Sequence, residues 1–434
     1  MPEIPWPSLT LGYLIPVGFF LLGWGGVEPE RAPRVAARGL LALALATVAY
    51  FAFGFAFHLG GAAVFADTPG LEGLGRIWSP LDRVRGLGWG AIGLAGFFLT
   101  EGADTPQALV LFLTYLPMAA TAALLPVLAL PEEARGWRMA LMGFLVGGVL
   151  FPLAACWVWG GGWLANLGQT LARGHGTVDF AGSGVVFLVG GMAALGALVA
   201  LGHRLPAERP VEMPPAHFPL LAVLGLLLAT VGWLGWALGS PWHVLDARLN
   251  PGLVATNGLL ALAGAALTAF FYCWLVLGES DPLMAVRGAA GGLVAISAGA
   301  PFLPPWSALT VGMIAGLLVP LGVYLVDPIL RLPDAAASAG TTVLPGLWGL
   351  LAVALFADGR WGQGWNQVGL QEYRTVVGQG VSGFFVAPGF LGDGPGQLIA
   401  QVTGLVAFAL LGFLGGWAPL ALARGLQSLK VGRR

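Results

Sequence analysis

The chain has 434 residues, 57% of them hydrophobic and only 9% charged, with a mean hydropathy of +0.82. Soluble domains carry about a quarter charged residues, so this composition argues against a water-soluble enzyme, and a net charge of −1 leaves no basic field for nucleic acid. Cys156 and Cys273 both lie in apolar runs, which does not indicate a disulfide scaffold.

In chain order, residues 1–10 contain Glu3 and no Lys or Arg, so the basic flank of a cleaved secretory signal is missing and the first apolar run reads as a retained helix. Apolar runs long enough for a bilayer then predict spans at 9–27, 39–60, 106–130, 139–163, 180–201, 218–240, 251–277, 288–303, 307–331, 340–357 and 396–423. The expected architecture is an all-α polytopic membrane protein of eleven transmembrane helices in one domain, 1–434. The run 86–100 is apolar but short, carries five glycines and lies between Arg83/Arg85 and Glu101/Asp104, so it reads as re-entrant or interfacial.

Charge and repetition orient these spans. Of the 20 Lys and Arg residues, 13 fall in the connections after the odd-numbered spans and 7 on the other side. An excess of basic residues marks the cytoplasmic face, which puts the N-terminus outside and the C-terminus in the cytoplasm; the expected location is the plasma membrane. Sliding the chain by 155 residues lays Asp179-Phe-Ala-Gly-Ser183 over Asp334-Ala-Ala-Ala-Ser338, Gly191 over Gly346 and Leu195 over Leu350. The first copy opens span 5 and the second span 10 from the opposite side. That predicts an inverted repeat of spans 1–5 and 6–10 (residues 9–201 and 218–357), followed by a final helix and short tail at 396–434. Inverted repeats are common in transporters and place the path at their interface.

Few side chains in the spans carry chemistry. The five histidines, His58, His175, His203, His217 and His243, read as span-end or loop residues, so a midplane histidine relay is not expected. Neither metal-ligand spacing nor a Ser/His/Asp set is apparent, and no cofactor is implied. Gly88-Trp-Gly-Ala-Ile-Gly93 fits the dinucleotide pattern without any βαβ context and is a chance match. Glycine pairs such as Gly143/Gly147 and Gly312/Gly316 have the spacing of close helix packing. Asp179 and Asp334 read as helix N-caps, which also allows an electrostatic contribution to a cation at a pore mouth. Most of the 17 tryptophans fit an interfacial belt. Trp157-Val-Trp-Gly-Gly-Gly-Trp163 differs, because three glycines break the helix and leave ring faces on which a cation gains ~0.5–2 kcal/mol.

With these segments stand Gly232-Trp-Leu-Gly-Trp-Ala-Leu-Gly-Ser240, Val254-Ala-Thr-Asn257, Gly291-Gly-Leu-Val-Ala-Ile296 and Pro345-Gly-Leu-Trp-Gly-Leu-Leu-Ala-Val-Ala-Leu-Phe-Ala357. In this order and spacing the chain resembles the ammonium transporter/Rhesus protein family over most of its length. The resemblance implies the ammonium transporter fold, a homotrimer in the lipid bilayer with one pore per subunit, and a small cation or neutral amine as substrate. It puts the recruiting vestibule on Trp159 and Ser240, one gate ring on Trp236 and the other on Tyr115 or Met118, and the structural aspartate on Asp179. It also implies two pore histidines, whose positions hold Phe187 and Thr342, eight residues after Asp179 and Asp334. The family's acidic cytoplasmic tail is missing, since the chain ends in Lys430-Val-Gly-Arg-Arg434, which argues against regulation by its signal-transduction partner protein.

Two expectations follow: a non-enzymatic channel or transporter moving ammonium, ammonia or a similar small neutral molecule without paired histidines, or a non-conducting relative that binds, senses or serves as a structural trimer. An unrelated secondary transporter ranks below both, because no midplane carboxylate offers a coupling-ion site.

Overall fold

The computed structural model describes residues 6–65, 68–81, 87–131, 134, 136–205, 218–239, 249–278 and 281–431. A backbone in hydrocarbon must satisfy its own N–H and C=O groups, so each long apolar run closes into a helix. The helices are α1 (Leu9–Gly25), α2 (Ala32–Phe65), α3 (Pro106–Ala129), α4 (Gly136–Val158), α5 (Ser183–Leu201) and α6 (Pro219–Gly239). They continue as α7 (Pro251–Leu277), α8 (Pro282–Ile296), α9 (Pro305–Ile329), α10 (Ser338–Phe356) and α11 (Gly394–Val431). Among the described residues, nine of these are long and apolar enough to cross a membrane, and α1 and α8 are shorter apolar helices. Large apolar side chains stay exposed on the outward faces, such as Leu220 and Leu227 of α6 and Leu275 of α7. Such faces suit a lipid surround.

Glycine sets how closely the helices approach. A Cβ added to Gly18 of α1 would lie 2.4 Å from the Ala229 amide nitrogen of α6, and one on Gly225 of α6 would lie 2.6 Å from Leu22 N. The backbones of α1 and α6 thus touch without side chains between them. The two glycine pairs singled out in the sequence do the same work in each half. A Cβ at Gly147 of α4 would stand 2.7 Å from Ala46 of α2, and one at Gly312 of α9 would stand 2.1 Å from the Ala261 carbonyl of α7.

Among the described residues, four helices contain a π-helical turn: α2 at Tyr50–Gly54, α4 at Val146–Leu150, α5 at Ser183–Leu188 and α9 at Leu325–Ile329. Each such turn inserts about one extra residue and re-aims the side chains beyond it, commonly at functional positions. The run 87–100 forms no membrane helix. It crosses the ends of α2 and α4, with Ile92–Gly93 paired antiparallel to Ile77–Trp78, and a Cβ on Gly93 would strike the Ala56 carbonyl of α2 at 2.3 Å.

Candidate functional site

α4 stops at Val158, and the glycines after Trp159 let the chain fold back tightly. A Cβ on Gly160 would meet the His58 carbonyl at 2.3 Å, and Gly161 adopts φ +73°, open to glycine at little cost. This turn fixes Trp159, whose indole N–H donates to the Asp179 carbonyl at 2.7 Å. Asp179 in turn opens α5: its carboxylate accepts the amides of Gly182 at 3.0 Å, Gly184 at 2.9 Å and Val185 at 2.8 Å. Asp334 does the same for α10, accepting the amides of Ser338 at 3.0 Å and Gly340 at 3.1 Å. The two aspartates aligned by the 155-residue shift therefore cap their helices alike, where a negative charge favours the positive end of the dipole.

Around Trp159 a cluster of rings extends inward. Trp159 is half-buried, whereas Trp236 of α6 is 1% exposed and Tyr115 of α3 is fully buried. The Trp159 ring centroid lies 5.8 Å from Trp236 and 5.5 Å from Tyr115, with Tyr115 edge-on to Trp236 at 6.1 Å. Trp236 is held by its indole N–H donating to the Thr114 carbonyl at 2.8 Å. Of the two α3 candidates for the second gate ring, Tyr115 therefore stands in the cluster; Met118 is buried about one helical turn further along α3. Ser240 lies outside the described residues.

His58 belongs to this cluster, although the sequence reading places it at a span end. α2 runs on to Phe65, beyond the predicted limit of residue 60, and leaves His58 fully buried. Its ring lies 4.7 Å from Tyr115, 5.9 Å from Phe151 and 6.2 Å from Trp159. Nδ1 is hydrogen-bonded to the Tyr50 hydroxyl at 2.9 Å. In a regular helix, residues eight apart are about 80° out of line at 3.6 residues per turn. The π-helical turn at Tyr50–Gly54 absorbs one residue and brings both side chains onto one face. Nε2 has no hydrogen-bond partner among the described residues. A buried polar atom left unmet costs about 1–3 kcal/mol.

The α5/α10 crossing is different in kind. Phe187, in the π-helical turn of α5, is 2% exposed and packs ring to ring on Phe19 of α1 at 5.1 Å. Thr342 is buried and donates its hydroxyl to the Ser338 carbonyl of its own helix at 2.7 Å; Thr341 does likewise to Ala337 at 2.7 Å. Thr342 faces Gly191, where an added Cβ would lie 2.4 Å from its hydroxyl oxygen. Among the described residues no group of His, Cys, Asp or Glu could hold a metal ion. His175, in the loop between α4 and α5, is buried 4.4 Å from Tyr373, and burial lowers its pKa to about 3.

The model of the Ammonium Transporter Family matches residues 8–433. The chain belongs to that family. A curated relative, ammonium transporter Amt2 of Archaeoglobus fulgidus, is 32% identical over 83% of this chain and 74% of its own length. A putative ammonium transporter of Synechocystis is 30% identical over 81% of this chain and 74% of its own. Among solved structures, one titled Sensor Amt Protein superposes with a TM-score of 0.75 at 23% identity, covering 96% of this chain and 91% of that one. Candida albicans Mep2 gives 0.73 at 22% identity, with 97% and 83% covered. At such identities the likeness is one of fold. This family member is thus a multi-pass membrane protein with the ammonium transporter fold.

Proposed function

We propose that the protein is a channel or transporter, not an enzyme, that moves ammonium, ammonia or a similar small neutral molecule. It crosses the plasma membrane eleven times, N-terminus outside and C-terminus in the cytoplasm, and assembles as a homotrimer. Trp159, Trp236 and Tyr115, with Ser240, recruit the solute, and Phe187 and Thr342 set the constriction between the inverted halves. Asp179 and Asp334 cap α5 and α10 and add negative potential to the path. The ring cluster carries this reading: it grades from the half-buried Trp159 to the buried Trp236 and Tyr115, whose faces attract a cation as water is left behind. The names of the A. fulgidus and Synechocystis relatives support the choice of solute.

Purified protein in liposomes, with internal pH and charge movement recorded on an ammonium jump, tests it. The expected result is a response above empty vesicles that falls at least tenfold in Trp159→Ala. A wild-type response equal to empty vesicles overturns transport.

A second reading is a non-conducting member that binds or senses ammonium. The packing of Phe187 on Phe19 favours it, because that contact fills the junction of α5 with α1. The double variant Phe187→His with Thr342→His separates the two readings: flux gained only in the variant supports the plug, and flux already present in the wild type removes it.

A further inference from the structure

We propose that His58 is the hydrogen-bond acceptor that selects ammonium over other monovalent cations at the ring cluster. The inference rests on the reading of that cluster as a cation entry site.

Ring faces alone discriminate poorly, because their quadrupole attracts potassium and sodium as it attracts ammonium. What distinguishes ammonium is four N–H donors. A site that prefers it needs an acceptor with a fixed lone pair, poorly suited to a hard alkali ion, which takes oxygen ligands. Among the described residues of the cluster, His58 offers such a group. His58 is fully buried within ring-centroid distances of 4.7 Å to Tyr115 and 6.2 Å to Trp159, and its Nε2 meets no described protein donor or acceptor.

In the proposed arrangement the imidazole carries its proton on its second nitrogen. Nδ1 and the Tyr50 oxygen are 2.9 Å apart. With Nδ1–H donating to the phenol oxygen, the neutral imidazole has its proton on Nδ1 and its lone pair on Nε2; a ring tautomer is set by the bond its other nitrogen makes. Tyr50 is itself locked by stacking on Phe112 at 5.6 Å and by an edge contact with Phe55 at 6.2 Å. The backbone commits to this arrangement through the π-helical turn at Tyr50–Gly54, without which the two side chains would leave α2 in different directions. Of the rings packed against the imidazole, Tyr115 of α3 carries a hydroxyl and Trp159 an indole N–H, and the latter is already given to the Asp179 carbonyl. His58 thus supplies the nitrogen lone pair at the inner wall of the cluster.

Calorimetric titration of the purified full chain with ammonium chloride, and separately with potassium chloride, tests this with His58→Phe, His58→Gln, Tyr50→Phe and Trp159→Ala. His58→Phe keeps a ring without an acceptor and is expected to weaken ammonium at least tenfold while leaving potassium within twofold. His58→Gln, which restores an acceptor oxygen, should recover ammonium to within about threefold of wild type. Tyr50→Phe should fall between, as it frees the tautomer. Trp159→Ala should weaken both cations.

Ammonium binding unchanged in His58→Phe but lost in Trp159→Ala overturns the proposal and leaves the ring site standing. Equal loss of ammonium and potassium in His58→Phe, or no recovery in His58→Gln at matched melting temperature, overturns it in favour of a packing role. Should His58→Phe fail to fold, the Gln and Tyr50→Phe variants decide: wild-type selectivity in Tyr50→Phe and loss of ammonium in His58→Gln count against it. Binding unaffected by every variant, or no binding in the wild type, removes the ring site and the proposal together.

Discussion

The ring cluster at Trp159 and the crossing of α5 with α10 lie on the same protein and treat polar atoms in opposite ways. At the cluster, the rings of Tyr115, Trp159 and Trp236 pack on one another, and the Nε2 atom of the buried His58 beside them meets no hydrogen-bond partner among the described residues. At the crossing, the hydroxyls of Thr341, Thr342 and Ser183 are already spent. Thr341 and Thr342 bond their own helix, Ser183 donates to the Val294 carbonyl at 2.6 Å, and Phe187 packs at a tilt on Phe19. A membrane threonine that returns its proton to the preceding turn offers little to a passing solute. The contrast teaches that the proposed recognition draws on the ring cluster, whereas the described hydroxyls at the crossing are tied up within the protein.

Asp179 joins the two regions, so its removal is expected to do the most damage. Asp179→Ala strands three buried amides that the carboxylate now accepts, and disturbs the segment whose carbonyl anchors Trp159. At about 1–3 kcal/mol for each unmet donor, thermal unfolding in detergent should show a loss of several kcal/mol. A shift below about 1 kcal/mol, less than one unmet donor, would break the link between the regions.

Phe187→Ala comes next. Deleting a buried phenyl costs about 3–5 kcal/mol, and if shape alone closes the crossing, ammonium flux in liposomes should rise as stability falls. Unchanged flux would move the constriction elsewhere.

A smaller effect is expected at His175, between α4 and α5. Burial holds its pKa near 3, below the ordinary 6.5, so the unfolded chain binds the extra proton first. The stability from the neutral ring is complete above pH 6.5 and is lost as pH falls from there toward 3, at about 1.4 kcal/mol per unit once well below 6.5. Melting curves between about pH 7.5 and 5, a window that spans the ordinary histidine value, should show this drop in the wild type and a flatter profile in His175→Phe, with the Trp159 cluster unaffected; identical profiles would refute it.

Least is expected of Thr342→Val, which removes a hydroxyl bonded only within its own turn. Stability should change by less than about 1 kcal/mol and flux by less than twofold. A tenfold loss of flux would show that the hydroxyl serves the solute and would erase the contrast between crossing and cluster.

Much of this protein was legible along the chain. Runs of about 20 apolar residues leave the backbone no alternative to the helix in hydrocarbon, and the observed helices start and end within a few residues of most predicted spans. The exceptions are ends such as that of α2, which continues to Phe65. The glycine pairs and the two capping aspartates were readable because their partners lie at fixed short spacing or are the backbone itself. Trp159 and Trp236 were found as motif residues, but which α3 side chain joins them was not decided by sequence, since Tyr115 and Met118 share a helical face.

His58 marks the limit most clearly. By periodicity it sits near a span end and out of line with Tyr50, and it is separated in sequence from Tyr115 and Trp159 by entire helices. Only the π-helical turn in α2 and the packing of α2, α3 and α4 put the imidazole among those rings. Composition and spacing determined that the chain lives in a membrane and how its helices are punctuated, because those depend on local solvation and on the nearest few residues. Which rings and which nitrogen face one another was decided by tertiary structure, because one inserted residue rotates everything after it by roughly 100°.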